Sequence, residues 1–288
     1  MNSAGTILPV ATLSAMTPRS LTIVLPAFNE AERLGPALDE LFGYLRRRGA
    51  EARDGAPGAA SLPTEIEVLV VDDGSSDGTA DLVRARPELE DGAHPERLRL
   101  LTVAHGGKGA AVRAGMLAAT TDDIIFTDAD MATPPDMIPL LVEALQTHEV
   151  ALGSRIQPDG SDMRKSQPWS RRMLGKAFHL LASIWVVGPV QDTQCGFKGF
   201  TREAAKDLFE RQHVKSIVFD VELIFLARKR GYSMAIVPIR WADRRGSRMR
   251  AGAGLALRVA WDLFRIPLIH RRVGRRPTVL VTEPPAGS

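Results

Sequence analysis

A chain of 288 residues with 44% hydrophobic and 25% charged residues can bury a sizeable core, which excludes wholesale disorder and favours one α/β domain with extensions. Its single cysteine, Cys195, excludes an internal disulfide framework and is compatible with a reducing compartment. The formal net charge is only +3, and no nucleic-acid partner is expected, yet Arg258, Arg265, Arg271, Arg272, Arg275 and Arg276 cluster against one acid, Asp262.

Residues 1–19 read as a loose leader without the charged start and apolar run of a signal peptide. Residues 21–25 (LTIVL) form a buried-strand run, and a helix is expected over about 30–48. The Gly-, Ala- and Pro-rich stretch 50–63 is a surface loop. Strands follow at 67–71, 98–103, 124–127 and 150–153, with helices after Ser76 or Asp77, near Lys108 and after Pro134. Strict alternation of strand and helix implies a mostly parallel, doubly wound sheet with helices on both faces, whose ligand sits beyond the carboxyl ends of the strands. Later come helices at 169–187, 202–210 and 219–229, strand-like pieces at 194–200 and 234–241, and a basic amphipathic tail. Three parts are therefore expected: the leader, an α/β domain over 20–250 divided at residue 130, and a tail over 251–288. No segment supplies the roughly 20 apolar residues of a spanning helix, since runs such as 180–190 are too short. A cytoplasmic protein touching the inner face of the cell membrane from outside the bilayer is expected.

Carboxylates gather where such a sheet places its ligand. Asp72 and Asp73 end the second strand, where Asp-Asp-Gly also suits a plain turn. Asp128 and Asp130 end the fourth. Two carboxylates aimed into one cleft repel unless a cation joins them, and hard oxygen ligands suit Mg²⁺ or Mn²⁺. His105-Gly-Gly-Lys108-Gly follows the third strand and opens a helix, an arrangement that lets backbone N–H groups and a lysine meet an anion. It lacks the spacing of a P-loop, and a flexible turn is the alternative. Cys195 reads as a packing residue, and His105, His179 and His213 have no metal-ligand spacing and read as structural.

Together these stretches resemble an inverting family 2 glycosyltransferase of the GT-A type. Val24-Leu-Pro-Ala-Phe-Asn-Glu30, Val70-Val-Asp-Asp-Gly-Ser-Ser-Asp-Gly-Thr79, Gly107-Lys-Gly-Ala-Ala-Val-Arg113 and Asp128-Ala-Asp-Met-Ala-Thr133 carry the donor side of the resemblance. Gly153-Ser-Arg155, Asp192-Thr-Gln-Cys-Gly-Phe-Lys198, Phe219-Asp-Val-Glu222 and Arg244-Arg-Gly-Ser-Arg248 continue it. The 192–198 stretch and the Ala132-Thr133 after the Asp-x-Asp point to the branch of dolichyl-phosphate β-glucosyltransferases and bacterial polyprenyl-phosphate relatives. The resemblance implies that Pro26, Ala27, Asn29, Glu30 and Asp73 hold the nucleoside, with Lys108 and its glycines near base or diphosphate. It implies that Asp128, Ala129 and Asp130 meet the sugar nucleotide, the two acids through the metal, with Arg244, Ser247 and Arg248 closing over the diphosphate. A solvated basic turn is the other reading of 244–250. Ser154, Arg155, Arg172 and Lys198 are candidates for the acceptor phosphate. Asp192 joins Asp130 and Arg155 as a catalytic candidate, either orienting the sugar, acting as a base, or organising a turn.

The implied reaction is inverting transfer of a sugar, glucose from UDP-glucose first, to a polyprenyl or dolichyl phosphate. A GDP-mannose-dependent mannosyltransferase, a family 2 enzyme acting on a glycan or glycolipid, and a nucleotide-sugar-binding module without catalysis are the alternatives. Ala132 stands where some mannosyltransferases of the group carry a metal-binding Gln, which favours the glucosyl branch. The tail, with Trp261 and Phe264 among arginines, fits a helix in the lipid head-group layer or one packed on the core.

Overall fold

Short runs, most of them rich in Val, Ile and Leu, form β1 (Thr6–Ile7), β2 (Leu21–Ala27), β3 (Ile66–Asp72), β4 (Glu96–Thr102), β5 (Asp123–Thr127), β6 (Val150–Ser154), β7 (Phe197–Thr201, with two Phe) and β8 (Met234–Pro238). The computed structural model describes residues 6–7, 19–54, 62–89, 96–163, 186, 192–242 and 253–277. The eight strands make one sheet in the order β1-β8-β6-β7-β5-β2-β3-β4. The helices are α1 (Ala31–Arg53), α2 (Thr79–Arg84), α3 (Lys108–Ala118), α4 (Ile138–Leu145), α5 (Arg202–Glu210), α6 (Phe219–Arg230) and α7 (Ala253–Ile269).

Side-chain alternation divides the interior into two cores. Leu21, Ile23 and Leu25 of β2 face α1 and α4, whereas Val24 faces α3, α5 and α6 with Phe126, Phe200 and Phe219. Each fully buried Leu or Ile contributes roughly 1.5–3 kcal/mol from the apolar area that it hides. Helix α3 lies close on the sheet because residue 115 is glycine. A Cβ there would stand 2.4 Å from Val24 Cγ1 and 2.7 Å from Val71 Cγ2. Gly115→Ala would overpack this contact, at about 1–3 kcal/mol.

The doubly wound arrangement agrees with the alternation read from sequence, with one exception. β7 runs antiparallel between β5 and β6, pairing Thr127 with Phe197 and Val150 with Phe200. A strand that enters from the opposite end brings the residues before Phe197 to the sheet edge where the parallel strands finish. That edge is where Asp73, Asp128 and Arg155 emerge. Within the expected loose leader, Thr6 and Ile7 pair with Ala235 and Ile236 of β8. The helix expected at 169–187 lies outside the described residues, save Val186. The expected tail helix forms, and it runs through Pro267 to Ile269.

Candidate active site

At this edge a cavity of about 270 Å³ opens between β2, β3, the start of α3 and the end of β5. Its walls include Pro26, Ala27, Glu30, Asp73, Lys108, Asp128, Ala129 and Asp130, eight residues expected at the sugar nucleotide. The sequence alone brings none of these segments together; the shared strand edge does.

One wall is built from backbone. Asn29 adopts φ 54°, a conformation that Asn tolerates better than most residues. It clasps the β3–α2 loop, accepting from Ser76 N at 2.8 Å and donating its own N–H to Ser75 Oγ at 2.9 Å. Asp72 accepts from Ser75 N at 3.2 Å, the turn-forming role open to it. Asp73 is buried, and its two oxygens accept from Gly106 N at 2.8 Å and Gly107 N at 2.9 Å. The N–H of Gly109 donates to Lys215 O at 3.0 Å. The glycine amides expected to meet an anion are thus engaged with the protein. The glycines serve close packing instead, because a Cβ on Gly109 would lie 2.9 Å from Lys215 O and 2.8 Å from Phe219 Cβ.

The opposite wall is made of acids and cations. Lys108 Nζ lies 2.5 Å from Asp128 Oδ1, and Arg33 Nη1 lies 3.5 Å from Asp130 Oδ2. Arg33 also forks onto Glu30, three residues earlier in the chain. Burial would lower the Lys108 pKa, but Asp128, Asp220 and Asp130 outweigh it and hold the ammonium above its ordinary value. Burial, then the charge of Asp128, pushes the Asp130 carboxyl above the usual carboxylate range. Two carboxylates held this close, with no third acid or histidine completing a cluster among the described residues, suit a hard divalent cation whose other ligands are substrate oxygens and water. Lys108 and Arg33 occupy the cationic side of that arrangement.

Two wall residues, Phe28 and His105, were missed in the sequence, as was Arg33 beside Asp130. Phe28 is exposed and stacks on His105, with ring centroids 4.1 Å apart, so His105 is a wall residue rather than merely structural. Arg33 was missed although its place three residues after Glu30, in the first turn of α1, was a readable signal.

The acceptor-side residues differ from expectation in their contacts. Asp192 takes a bidentate ion pair from Arg155, at 2.8 and 2.7 Å, and accepts from the Arg155 N–H at 2.9 Å. The Arg155 guanidinium lies over the Trp241 ring and is held strongly protonated, since Asp192 outweighs the opposing effect of burial. Ser154 turns its hydroxyl onto Ile156 O at 3.1 Å. Lys198 is fully buried, donating to Asp220 at 2.6 Å and to Cys195 O at 2.5 Å. In this structure the Lys198 charge is thus neutralised inside the protein and the Ser154 hydroxyl is bonded locally, which leaves Arg155 as the acceptor-side candidate nearest the cavity edge of the sheet. Arg172, Arg244, Ser247 and Arg248 lie outside the described residues. Cys195 is buried and its thiol is pushed up to about 12, as befits a packing residue.

Residues 22–209 match the model of a family described as Glycosyl transferase family 2. A dolichyl-phosphate beta-glucosyltransferase of Trichomonas vaginalis is 36% identical over 92% of this chain and 75% of its own length. Enzymes of the same name from Drosophila melanogaster and Homo sapiens are 37% and 33% identical, each over 80% of this chain and 69% and 70% of their own lengths. Among solved structures, glucosyl-3-phosphoglycerate synthase from Mycobacterium tuberculosis, in complex with Mn²⁺ and UDP-glucose, matches with a TM-score of 0.58 at 19% identity, over 90% of this chain and 81% of that one. That likeness concerns the fold, which is GT-A. With its acids, its lysine and its glycine turn at the strand edge, and with kinship over most of its length, the chain belongs to glycosyl transferase family 2 and is a glycosyltransferase.

Proposed function

We propose that this enzyme transfers glucose from UDP-glucose to a polyprenyl phosphate of the dolichyl type, with inversion at the sugar C1. The observation that carries the reading is kinship with dolichyl-phosphate beta-glucosyltransferases over a span that includes both the donor cavity and the Asp192–Lys198 segment. The cavity supports the donor half. Its Phe28–His105 face suits a nucleoside, while Lys108, Asp128 and Asp130 suit a diphosphate with Mg²⁺ or Mn²⁺. A divalent cation bound there would supply Lewis-acid stabilisation of the departing diphosphate.

In the reaction an acceptor phosphate oxygen forms a bond to C1 as the bond from C1 to the diphosphate oxygen breaks. The electron pair leaves with the nucleoside diphosphate. A phosphate is already anionic at neutral pH, so positioning and charge compensation matter more than proton removal. Lys108 would offset the growing charge on the diphosphate. Asp192 fixes Arg155, at the end of β6, as a rigid cation for the acceptor side, which makes Asp192 an orienting residue rather than a base.

Acceptor and enzyme must meet at a membrane. No helix among the described residues is long and apolar enough to cross one. Helix α7 turns Leu263 and Ile266 inward and leaves Trp261 (61%), Phe264 (48%), Leu268 and Ile269 exposed, beside exposed Arg258, Arg271 and Arg272. Such a face suits an anionic head-group layer, and we read it as the peripheral contact.

The deciding experiment offers purified protein, polyprenyl phosphate and Mg²⁺ or Mn²⁺ with labelled UDP-glucose, GDP-mannose, UDP-galactose or UDP-N-acetylglucosamine. Label should enter the organic phase from UDP-glucose. Transfer from GDP-mannose alone would replace the donor assignment, and no transfer from any donor would overturn the acceptor. Trp261→Ser with Phe264→Ser should weaken flotation with anionic vesicles; unchanged flotation would remove α7 from the contact.

A further inference from the structure

Glu222 lies in α6, away from the cavity, and is completely buried. Nothing in the transfer chemistry above uses it. Its carboxylate collects three donors: His213 N at 2.9 Å, Val214 N at 2.8 Å and His270 Nε2 at 2.7 Å. A buried carboxylate with three charge-assisted hydrogen bonds fixes whatever donates to it.

The donors belong to two different parts of the molecule. His270 closes the end of α7. His213 and Val214 belong to a strap, residues 212–216, that connects α5 to α6. On its other side the strap grips the glycine turn: Lys215 O accepts from Gly109 N at 3.0 Å, and Gln212 Nε2 donates to Gly109 O at 2.9 Å. A Cβ on Gly107 would lie 3.1 Å from Lys215 O, so turn and strap touch along their backbones. A second link to α7 runs from Ser216 Oγ to Asp262 Oδ2, at 2.6 Å. Lys108 sits between the two glycines that the strap touches, and its ammonium reaches into the cavity.

We propose that Glu222 is a positioning residue for the nucleotide cavity, holding the 212–216 strap against the Gly107-Lys108-Gly109 turn and anchoring that strap to α7. The inference rests on reading the cavity as a nucleoside diphosphate site. Helix α7 is then a strut for that site, so its placement sets how firmly Lys108 is presented. Glu222→Gln turns an amide N–H₂ towards backbone N–H donors and disrupts the junction directly. Ser216→Ala removes one strut and spares the carboxylate. Tyr232→Phe is the control, because it deletes a 3.0 Å hydrogen bond to Asp207 at the opposite end of α6.

The test reads amide hydrogen exchange of the 105–111 segment without ligand, then UDP affinity in Mn²⁺, on the whole chain. Exchange there should rise about tenfold in Glu222→Gln and severalfold in Ser216→Ala. The UDP Kd should weaken by about the same factors. Tyr232→Phe should lower Tm like Ser216→Ala while leaving both readouts at wild-type values. The proposal is overturned if Glu222→Gln and Tyr232→Phe behave alike in both readouts; should Glu222→Gln not fold, His270→Phe, which removes one donor to the same carboxylate, decides in its place. A wild-type chain that binds no UDP, with exchange still responding to Ser216→Ala, would refute the nucleotide reading and leave the mechanical link standing.

Discussion

Asp72 and Asp73 leave β3, and Asp128 and Asp130 leave β5, at the same edge of the sheet and flanking the same central strand, β2. The first pair is bonded mainly to backbone: Ser75, Gly106 and Gly107 donate amides that cannot move without refolding a turn, and the His105 ring adds a 2.9 Å contact to Asp73. The second pair takes one amide, Ala132 N on Asp130 at 3.1 Å, and otherwise faces the side-chain cations Lys108 and Arg33, which can withdraw by rotating. Acids bonded to amides are architecture. Acids neutralised by long, rotatable cations can exchange those partners for a ligand, and a divalent ion with a diphosphate is the chemistry that fits.

Substitutions at the two strand ends can break that contrast. Asp130→Ala should lower kcat by about 1000-fold or more, with Tm nearly unchanged or raised, because it removes a proposed metal ligand and relieves like-charge repulsion with Asp128. Substantial transfer by this variant would end the metal assignment. Asp73→Ala should act through the fold, costing about 2 kcal/mol of stability and weakening UDP binding about tenfold, since two amides lose their acceptor. A stability loss without any change in affinity would detach the glycine turn from the nucleotide. Asp72→Ala, which loses one long hydrogen bond, should cost about 1 kcal/mol or less and leave kcat within about twofold.

The far end of β5 sharpens the comparison. Asp123 is fully buried, its oxygens accept no hydrogen bond, and Arg19 lies 2.9 Å away in an ion pair. Burial raises its pKa to about 6. A carboxyl that holds its proton more tightly when folded destabilises the fold once ionised. Stability should therefore fall as pH rises from about 4 to about 6 and stay lowered above, on the order of 2–3 kcal/mol for this group. Tm measured across that range for the wild type and Asp123→Asn checks it. The difference between the two should vanish below pH 4, and parallel curves would discharge Asp123 from the effect.

Much of this was readable in the chain. Alternating runs placed every strand from β2 to β6 within two or three residues at each end, because buried parallel strands are short and β-branched. Eight cavity residues were reachable through the donor-side stretches. The antiparallel course of β7 was not legible, since a five-residue run such as FKGFT carries no sign of direction. The stacking of Phe28 on His105 joins residues 77 positions apart and needed the sheet to bring them together. Lys198 misled because lysine is read as surface charge, whereas here Asp220, from another helix, neutralises it within the core.

Gly196 sits just before β7, and a Cβ there would stand 2.3 Å from Asp128 Oδ2. Gly196 therefore packs against Asp128 with its bare backbone. Any side chain gained at position 196 would displace the Asp128 carboxylate, so the stretch leading into β7 dictates where an acid at the end of β5 can lie.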